Sequence, residues 1–506
     1  MRNEPLTIHT AEGALRGTVD DGVFVFKGIP YAAPPVGALR WRGPKPVAPW
    51  QGVRDALQWG NASWQNREYC VLAGGGEPGP LSEDCLYLNV WTPDMEPARS
   101  LPVMVWIHGG GFSIGAGGLP PYNGRALAAR GVVLVTLNYR LGHLGFFAHP
   151  ALDAEVPQGE AINNFALLDQ IAALQWVQRN ITAFGGDRRN VTIFGESSGG
   201  RSVLSLFTSP LAAGLFHKGI VQSAYSLPDK KRAEALACGV AVAHHLGLDN
   251  ATAEELRALP ADSFWSLPAH LGNGPVAIAG DRVLPKPMVE VFTAARQHRY
   301  PLMIGYNSDE ASVLEYFGVN ATAVITELRA RRPLALKLIR SLYDEHDDVR
   351  LGRKVARDMA FGTMTLLAVQ AQQRRGVPGW RYYFDYVSEN SRDLCRYGSW
   401  HGNEIPYVMD TLNAENVQMA DRPFTAGDRQ FAHRVSEYWL RFAQDATEFS
   451  HQLAGETPWP AWRSGEDITL RFGMKGEAAI VPQRRFMRLR LRLLRLLARA
   501  MVRLTV

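Results

Sequence analysis

The chain has 506 residues, 46% hydrophobic and 20% charged, which excludes a disordered or collagen-like protein. No apolar run reaches the ~18 residues that a membrane-spanning helix needs. The net charge is +5, yet eight arginines and no acidic residue lie between Arg484 and Val506, so the rest of the chain is mildly acidic and no nucleic-acid partner is expected. The opening MRNEPLTIHT lacks the basic end and apolar centre of a secretion signal, so a cytoplasmic protein is expected.

In chain order, Ala14–Val19 and Val23–Phe26 read as a short antiparallel addition to a sheet. Cys70 and Cys85 flank the Gly/Pro-rich loop Ala73–Pro80. Without a secretion route reduced thiols are expected, with a Cys70–Cys85 bridge as the alternative. None of the four cysteines (Cys238 and Cys395 are the others) sits in a CxxC pair, so no structural zinc site is expected. Val103–Ile107, Val132–Leu137, Val191–Phe194 and Leu302–Gly305 are compact apolar runs of strand length. Lacking polar alternation, they suit strands covered on both faces. Between them, Asn164–Arg179 and Arg201–Thr208 are helix-like, with Leu167, Leu168, Ile171, Leu174 and Val177 at helical spacing. Strand alternating with helix predicts one large α/β domain with a mainly parallel central sheet, helices on both faces and long loops. We assign residues 1–483 to that domain and 484–506 to a separate tail.

The pattern G-x-S-x-G occurs twice. Gly111–Gly115 runs into AGGLPPYNG, which cannot start a helix; Gly195–Gly199 follows the strand-like VTIF and precedes the helix-like RSVLSLF. A nucleophilic serine on a sharp elbow needs that strand–turn–helix context, which selects Ser197. The plain alternative is an ordinary strand-to-helix turn. His108-Gly109-Gly110-Gly111-Phe112 follows the apolar VMVWI. Three glycines after a buried strand can aim successive N–H groups into a cleft. With the N–H of Ser198, the amides of Gly110 and Gly111 are the natural donors for an oxyanion.

The motifs GESSGG, HGGGF, SEDCLYLNVW (82–91), NYRLG (138–142) and FGGD (184–187) together resemble the type-B carboxylesterases, most nearly the bacterial para-nitrobenzyl esterases. The resemblance runs from about Gly13 to at least Val408. It implies an α/β-hydrolase fold, a Ser–Glu–His triad and hydrolysis of carboxylic esters without metal or organic cofactor. His401, in GSWHGNEIPYV, is similar to the family's histidine loop, and Glu310, in YNSDEAS, to its acid position. The order serine, acid, histidine agrees. Asp309 is the rival acid if Glu310 faces solvent. Glu196 precedes the elbow and is not expected to orient the histidine. Three departures stand out: Ser198 where alanine is usual, Arg201 where a small residue is frequent, and Ala311 where glycine is usual. None removes a catalytic group.

Phe112, Tyr122, Trp64, Tyr316 and Phe317 lie in loops near these segments and are candidates to line an apolar pocket for a medium-sized, uncharged small-molecule ester. The alternatives are an amide, carbamate or lipid-ester hydrolase, or a non-catalytic adhesion or scaffold protein on the same fold. In the tail, at 100° per residue, Arg484, Arg485, Arg488, Arg492, Arg495, Arg499 and Arg503 fall within a ~100° arc. Arg490 alone lies elsewhere. This predicts an amphipathic helix, either lying on an anionic membrane from the cytoplasmic side or packed on the body or on a second subunit.

Overall fold

The computed structural model describes residues 6–157, 163–265, 267–272, 276–316, 320–412, 422–445, 458–482 and 489–490. Its frame is an eleven-stranded sheet. In chain order the strands are β1 (Thr18–Asp20), β2 (Val23–Pro30), β3 (Tyr87–Thr92), β4 (Leu101–Ile107), β5 (Val133–Leu137), β6 (Gly186–Glu196), β7 (Lys218–Gln222), β8 (Leu302–Asn307), β9 (Gly379–Phe384), β10 (Ile468–Phe472) and β11 (Ala478–Pro482). Across the sheet they run β11-β10-β9-β8-β7-β6-β4-β5-β3-β2-β1. The strands from β10 to β5 are mutually parallel. Both edges are antiparallel.

The period of two along each strand sorts its side chains into two layers. Val103, Val105 and Ile107 of β4 join Val133, Val135 and Leu137 of β5 against α1 (Phe165–Asn180), α2 (Ser198–Thr208) and α3 (Thr363–Arg374). Met104 and Trp106 face the other way, with Leu134, Phe194 and Met303, against α4 (Ala426–Gln444). Apolar cover on both faces is why these strands read as unbroken apolar runs. A capping box starts α4: Thr425 Oγ1 accepts from Asp428 N–H at 3.0 Å, and Asp428 Oδ2 accepts from Thr425 N–H at 2.7 Å.

The N-terminal expectation holds in part. Val23–Pro30 and Thr18–Asp20 do form an antiparallel edge. Ala14–Arg16 instead joins Thr7–His9 and Val53–Asp55 in a separate three-stranded sheet. Gly17 divides the run: a Cβ there would come within 2.8 Å of the Val25 carbonyl and closer still to the Phe26 ring. All four cysteines are free, with Cys70 and Cys85 buried. Among the described residues no helix is long and apolar enough to cross a membrane, and no group of three or more His, Cys, Asp or Glu could hold a metal ion.

Two buried ion pairs fasten distant segments. Arg140 donates to both Asp169 oxygens, at 2.8 and 2.7 Å, and its backbone N–H adds a third bond at 3.1 Å. This ties the NYRLG loop to α1. From that loop Gly142 N–H reaches the Phe112 carbonyl at 2.7 Å, so the pair also braces the glycine run. In the tail, Arg490 is buried, with Nε 2.8 Å from Asp358 Oδ2 and its guanidinium 4.0 Å from the centre of the Tyr343 ring. Burial works against the Asp358 carboxylate, but Arg357 and Arg490 hold its pKa below the usual range.

Asp169→Ala leaves a buried guanidinium without its partner. Unfolding in denaturant should show a loss of about 3–5 kcal/mol. A loss under 1 kcal/mol would show that the loop is held by other contacts.

Candidate active site

At the end of β6 the chain turns sharply into α2. Ser197, at the turn, has φ +54° and ψ −119°, a conformation that costs a non-glycine residue about 1–3 kcal/mol. Its neighbours make the turn feasible. A Cβ on Gly195 would stand 2.5 Å from the Ile107 carbonyl oxygen, and one on Gly199 only 2.0 Å from the same atom, so α2 can approach β4 only with glycine at both places. The Ser197 N–H donates to the Gln222 carbonyl of β7 at 2.9 Å. The elbow is thus wedged between two parallel strands, and Ser197 keeps 7% of its surface exposed.

The glycine run lies against it. A Cβ on Gly109 would be 3.3 Å from Ser197 Cβ. Gly110, Gly111 and Phe112 take φ of +98°, +61° and +59°. Neither Gly110 N–H nor Gly111 N–H donates to any group among the described residues. Ser198 N–H heads α2, where first-turn amides have no intrahelical acceptor. Three amide donors therefore stand near the hydroxyl. The other G-x-S-x-G serine, Ser113, is part of this run's own turn, its N–H bonded to the Gly110 carbonyl at 3.0 Å.

Beyond β8, Glu310 is fully buried. Its Oε1 accepts from Asn307 N–H at 2.6 Å, and its Oε2 makes a short hydrogen bond with His401 Nδ1. Asp309, the rival acid, is committed elsewhere: Arg353 grips both its oxygens at 2.8 Å. The histidine loop is zipped to the acid loop by Asp309 N–H to Ser399 O at 2.8 Å, Asn307 Nδ2 to Trp400 O at 2.8 Å and His401 N–H to Ser312 Oγ at 2.9 Å. His401 Nε2 lies 3.1 Å from Glu196 Oε1, next in sequence to Ser197, and forms no hydrogen bond to it or to Ser197. The Phe361 ring covers the imidazole at 5.5 Å between centroids.

Three residues that sequence reading did not single out, Glu404, Gln222 and Asn307, complete the cluster. Buried Glu404 accepts from Gln222 Nε2 at 3.2 Å and from Asn307 Nδ2 at 2.5 Å. Both donors come from strand ends far away in sequence; the one local signal was a carboxylate three residues after His401. Burial disfavours the His401 imidazolium, yet Glu196 and Glu310, aided by Glu404, outweigh it and raise the pKa to about 9. Burial raises Glu196 to about 8; His401 opposes this, while Glu404 and Glu310 add to it.

The remaining candidates are placed as follows. Phe112 is buried with its ring against Phe146 at 4.9 Å, and Tyr122 is buried against Trp106 at 5.1 Å. Trp64 is half-buried on the cluster around Trp41 and Phe264. Tyr316 ends the helix Ala311–Tyr316, which Ala311 starts; Phe317 lies outside the described residues. Arg201 is buried, bonded to Asp229 at 2.6 Å and to the Tyr225 carbonyl at 2.9 Å, so its charge is spent inside the protein.

Residues 4–484 match the model of the carboxylesterase family. The chain belongs to that family. It is a carboxylic ester hydrolase on an α/β-hydrolase fold. It is 36% identical to the fumonisin B1 esterase of Sphingopyxis macrogoltabida over 488 residues, covering 92% of this chain and 86% of that one. It is 33% identical to the para-nitrobenzyl esterase of Bacillus subtilis over 478 residues, covering 92% and 94%. Among solved structures, a PNB esterase superposes with a TM-score of 0.80 at 31% identity, covering 96% of this chain and 99% of that one. A carboxylesterase of Geobacillus stearothermophilus gives 0.80 at 29%, covering 97% and 99%.

Because carboxylates favour the imidazolium, and only the neutral imidazole accepts a proton, kcat/KM for a neutral ester should rise with pH through a midpoint above 6.5. Glu196→Gln removes one of these carboxylates, so the acidic limb should move to lower pH by about one unit. An unmoved limb would show that Glu196 does not act on the imidazole.

Proposed function

We propose that Ser197 is the nucleophile of this carboxylesterase, His401 its general base and acid, and Glu310 the group that orients His401. The observation that carries this reading is the Glu310–His401 bond, formed beside a strained serine and unoccupied amides. Ser197 Oγ attacks the ester carbonyl carbon while His401 Nε2 takes its proton. The amides of Gly110, Gly111 and Ser198 receive the charge that builds on the carbonyl oxygen. Collapse breaks the bond to the alcohol, which leaves with the proton from Nε2. Water then attacks the acyl-enzyme by the same relay and regenerates Ser197. Glu310 fixes the tautomer and balances the imidazolium. Nε2 has no hydrogen bond in the resting protein, so it can turn toward Ser197 without breaking one.

A medium-sized, uncharged ester is the substrate class in this reading; that relatives are named fumonisin B1 esterase and para-nitrobenzyl esterase supports a small-molecule ester. A scaffold role finds no support. Most of the tail lies outside the described residues. The Arg490–Asp358 pair supports packing of that segment on the body. The seven arginines of the arc lie outside the described residues; contact between them and anionic lipid at the inner face of the membrane is part of this proposal.

On p-nitrophenyl butyrate, Ser197→Ala should lower kcat/KM by at least ~10⁴-fold. Retained turnover would place the nucleophile elsewhere. Liposomes with anionic lipid should sediment the full chain and not a chain ended after Pro482; equal sedimentation of both would reject lipid contact through the tail.

A further inference from the structure

Trp439, on α4, is fully buried in the layer between that helix and the sheet, its ring against Tyr382 at 5.1 Å and Phe472 at 6.1 Å. Its indole N–H donates to Gln222 Oε1 at 3.0 Å. From there a line of hydrogen bonds runs to the histidine. Gln222 Nε2 donates to Glu404 Oε1 at 3.2 Å, and Asn307 Nδ2 to Glu404 Oε2 at 2.5 Å. Asn307 N–H donates to Glu310 Oε1 at 2.6 Å, and Glu310 Oε2 holds His401 Nδ1. The chemistry of the flanking groups fixes the two amides. An indole N–H can only donate, so Gln222 must turn Oε1 toward Trp439 and its NH2 toward Glu404. A backbone carbonyl can only accept, and Asn307 Nδ2 also donates to Trp400 O at 2.8 Å, so Asn307 likewise presents its NH2. Glu404 thus receives a donor at each oxygen, and neither donor atom can accept a proton from it. The arrangement fits a carboxylate and not a carboxylic acid.

We propose that Trp439 is a positioning residue for the general base: by orienting the Gln222 amide it keeps Glu404 ionised beside His401. Burial raises the Glu404 pKa and Glu310 adds to this, while the bonds from Asn307 and Gln222 lower it. His401 and Glu196 also face Glu404, as do the phenols of Tyr382 and Tyr122, which burial keeps neutral. Without the indole N–H, Gln222 is free to turn Oε1 onto the carboxylate. Two acceptors then meet in a buried space, and Glu404 takes up a proton to relieve the contact. His401 thereby loses one of the charges that stabilise its imidazolium. The inference rests on the reading of His401 as the general base.

Trp439→Phe keeps a ring against Tyr382 and removes the N–H. Site-specific β-(3-benzothienyl)alanine in place of Trp439 exchanges the N–H for sulfur within the same outline, and decides the matter where phenylalanine fails to fold. Both are compared with the wild type by the pH profile of kcat/KM on p-nitrophenyl butyrate and by thermal unfolding. A neutral Glu404 lowers the His401 pKa, so the acidic limb should move down by about half a pH unit. On the plateau kcat should fall about three- to tenfold, with KM within about twofold. Glu404→Gln should move the limb the same way by as much or more. Adding Trp439→Phe to it should move the limb no further, because both act through one charge. Phe472→Leu, which loosens the same layer without cutting a hydrogen bond, should lower the melting temperature and leave the limb in place. The role of Trp439 is overturned if its variants leave the limb in place or raise it, if Trp439→Phe still shifts it in Glu404→Gln, or if Phe472→Leu shifts it equally. Should His401→Ala retain turnover, the reading of the base fails and this inference with it. An unmoved limb in the Trp439 variants, with an inactive His401→Ala, rejects only the role of Trp439.

Discussion

Everything in this site hangs on one backbone constraint, the strained positive-φ conformation of Ser197 at the junction of β6 and α2. A serine does not adopt it unaided. The Gln222 carbonyl holds its N–H from one side, and the close approach of Gly195 and Gly199 to Ile107 fixes it from the other. Those partners belong to β7 and β4, the immediate neighbours of β6 in the sheet. The apolar cover on both sheet faces therefore does more than stabilise the fold. It holds three parallel strands in the register that keeps the turn strained and the hydroxyl at the mouth of the cleft.

The second constraint is electrostatic. Three carboxyl groups, Glu196, Glu310 and Glu404, surround one imidazole in a buried space, and burial favours the neutral form of Glu196 and Glu404. The structure answers with donors as well as charge: Asn307 serves both Glu310 and Glu404, and Gln222 serves Glu404. The same two residues lie at the ends of β8 and β7, and Gln222 also carries the elbow. Strand ends that look like simple termini are shared fixtures for nucleophile, base and acid. A change at Asn307 or Gln222 would disturb several of them together.

Much of this was legible in the sequence because it is local. The choice of Ser197 over Ser113 needed only the strand before it and the helix after it, and the glycines of both motifs are dictated by backbone conformation. The apolar runs announced strands covered on both faces. The acid was ambiguous between two adjacent residues, since the sequence does not show that Arg353 would claim Asp309. Glu404 and Asn307 gave little signal, because they lie 97 residues apart and Gln222 lies 182 residues from Glu404, and their meeting is a consequence of the sheet order. The departure at Ser198 was visible as a substitution, but its effect was not. A hydroxyl in place of a methyl finds its donor, the Phe112 amide, only through the tertiary structure. The break of the N-terminal run at Gly17 was missed for a similar reason: the Phe26 ring that demands it belongs to the next strand.

The central claim is that one serine, one imidazole and three amides converge on a single reacting carbon. A crystal structure of the protein after reaction with an alkyl p-nitrophenyl phosphonate tests it directly. The account predicts phosphorus bonded to Ser197 Oγ, the phosphoryl oxygen about 2.7–3.1 Å from the backbone nitrogens of Gly110, Gly111 and Ser198, and His401 Nε2 turned from Glu196 toward the adduct. Phosphorus on another residue, or a phosphoryl oxygen out of reach of those three nitrogens, would contradict it.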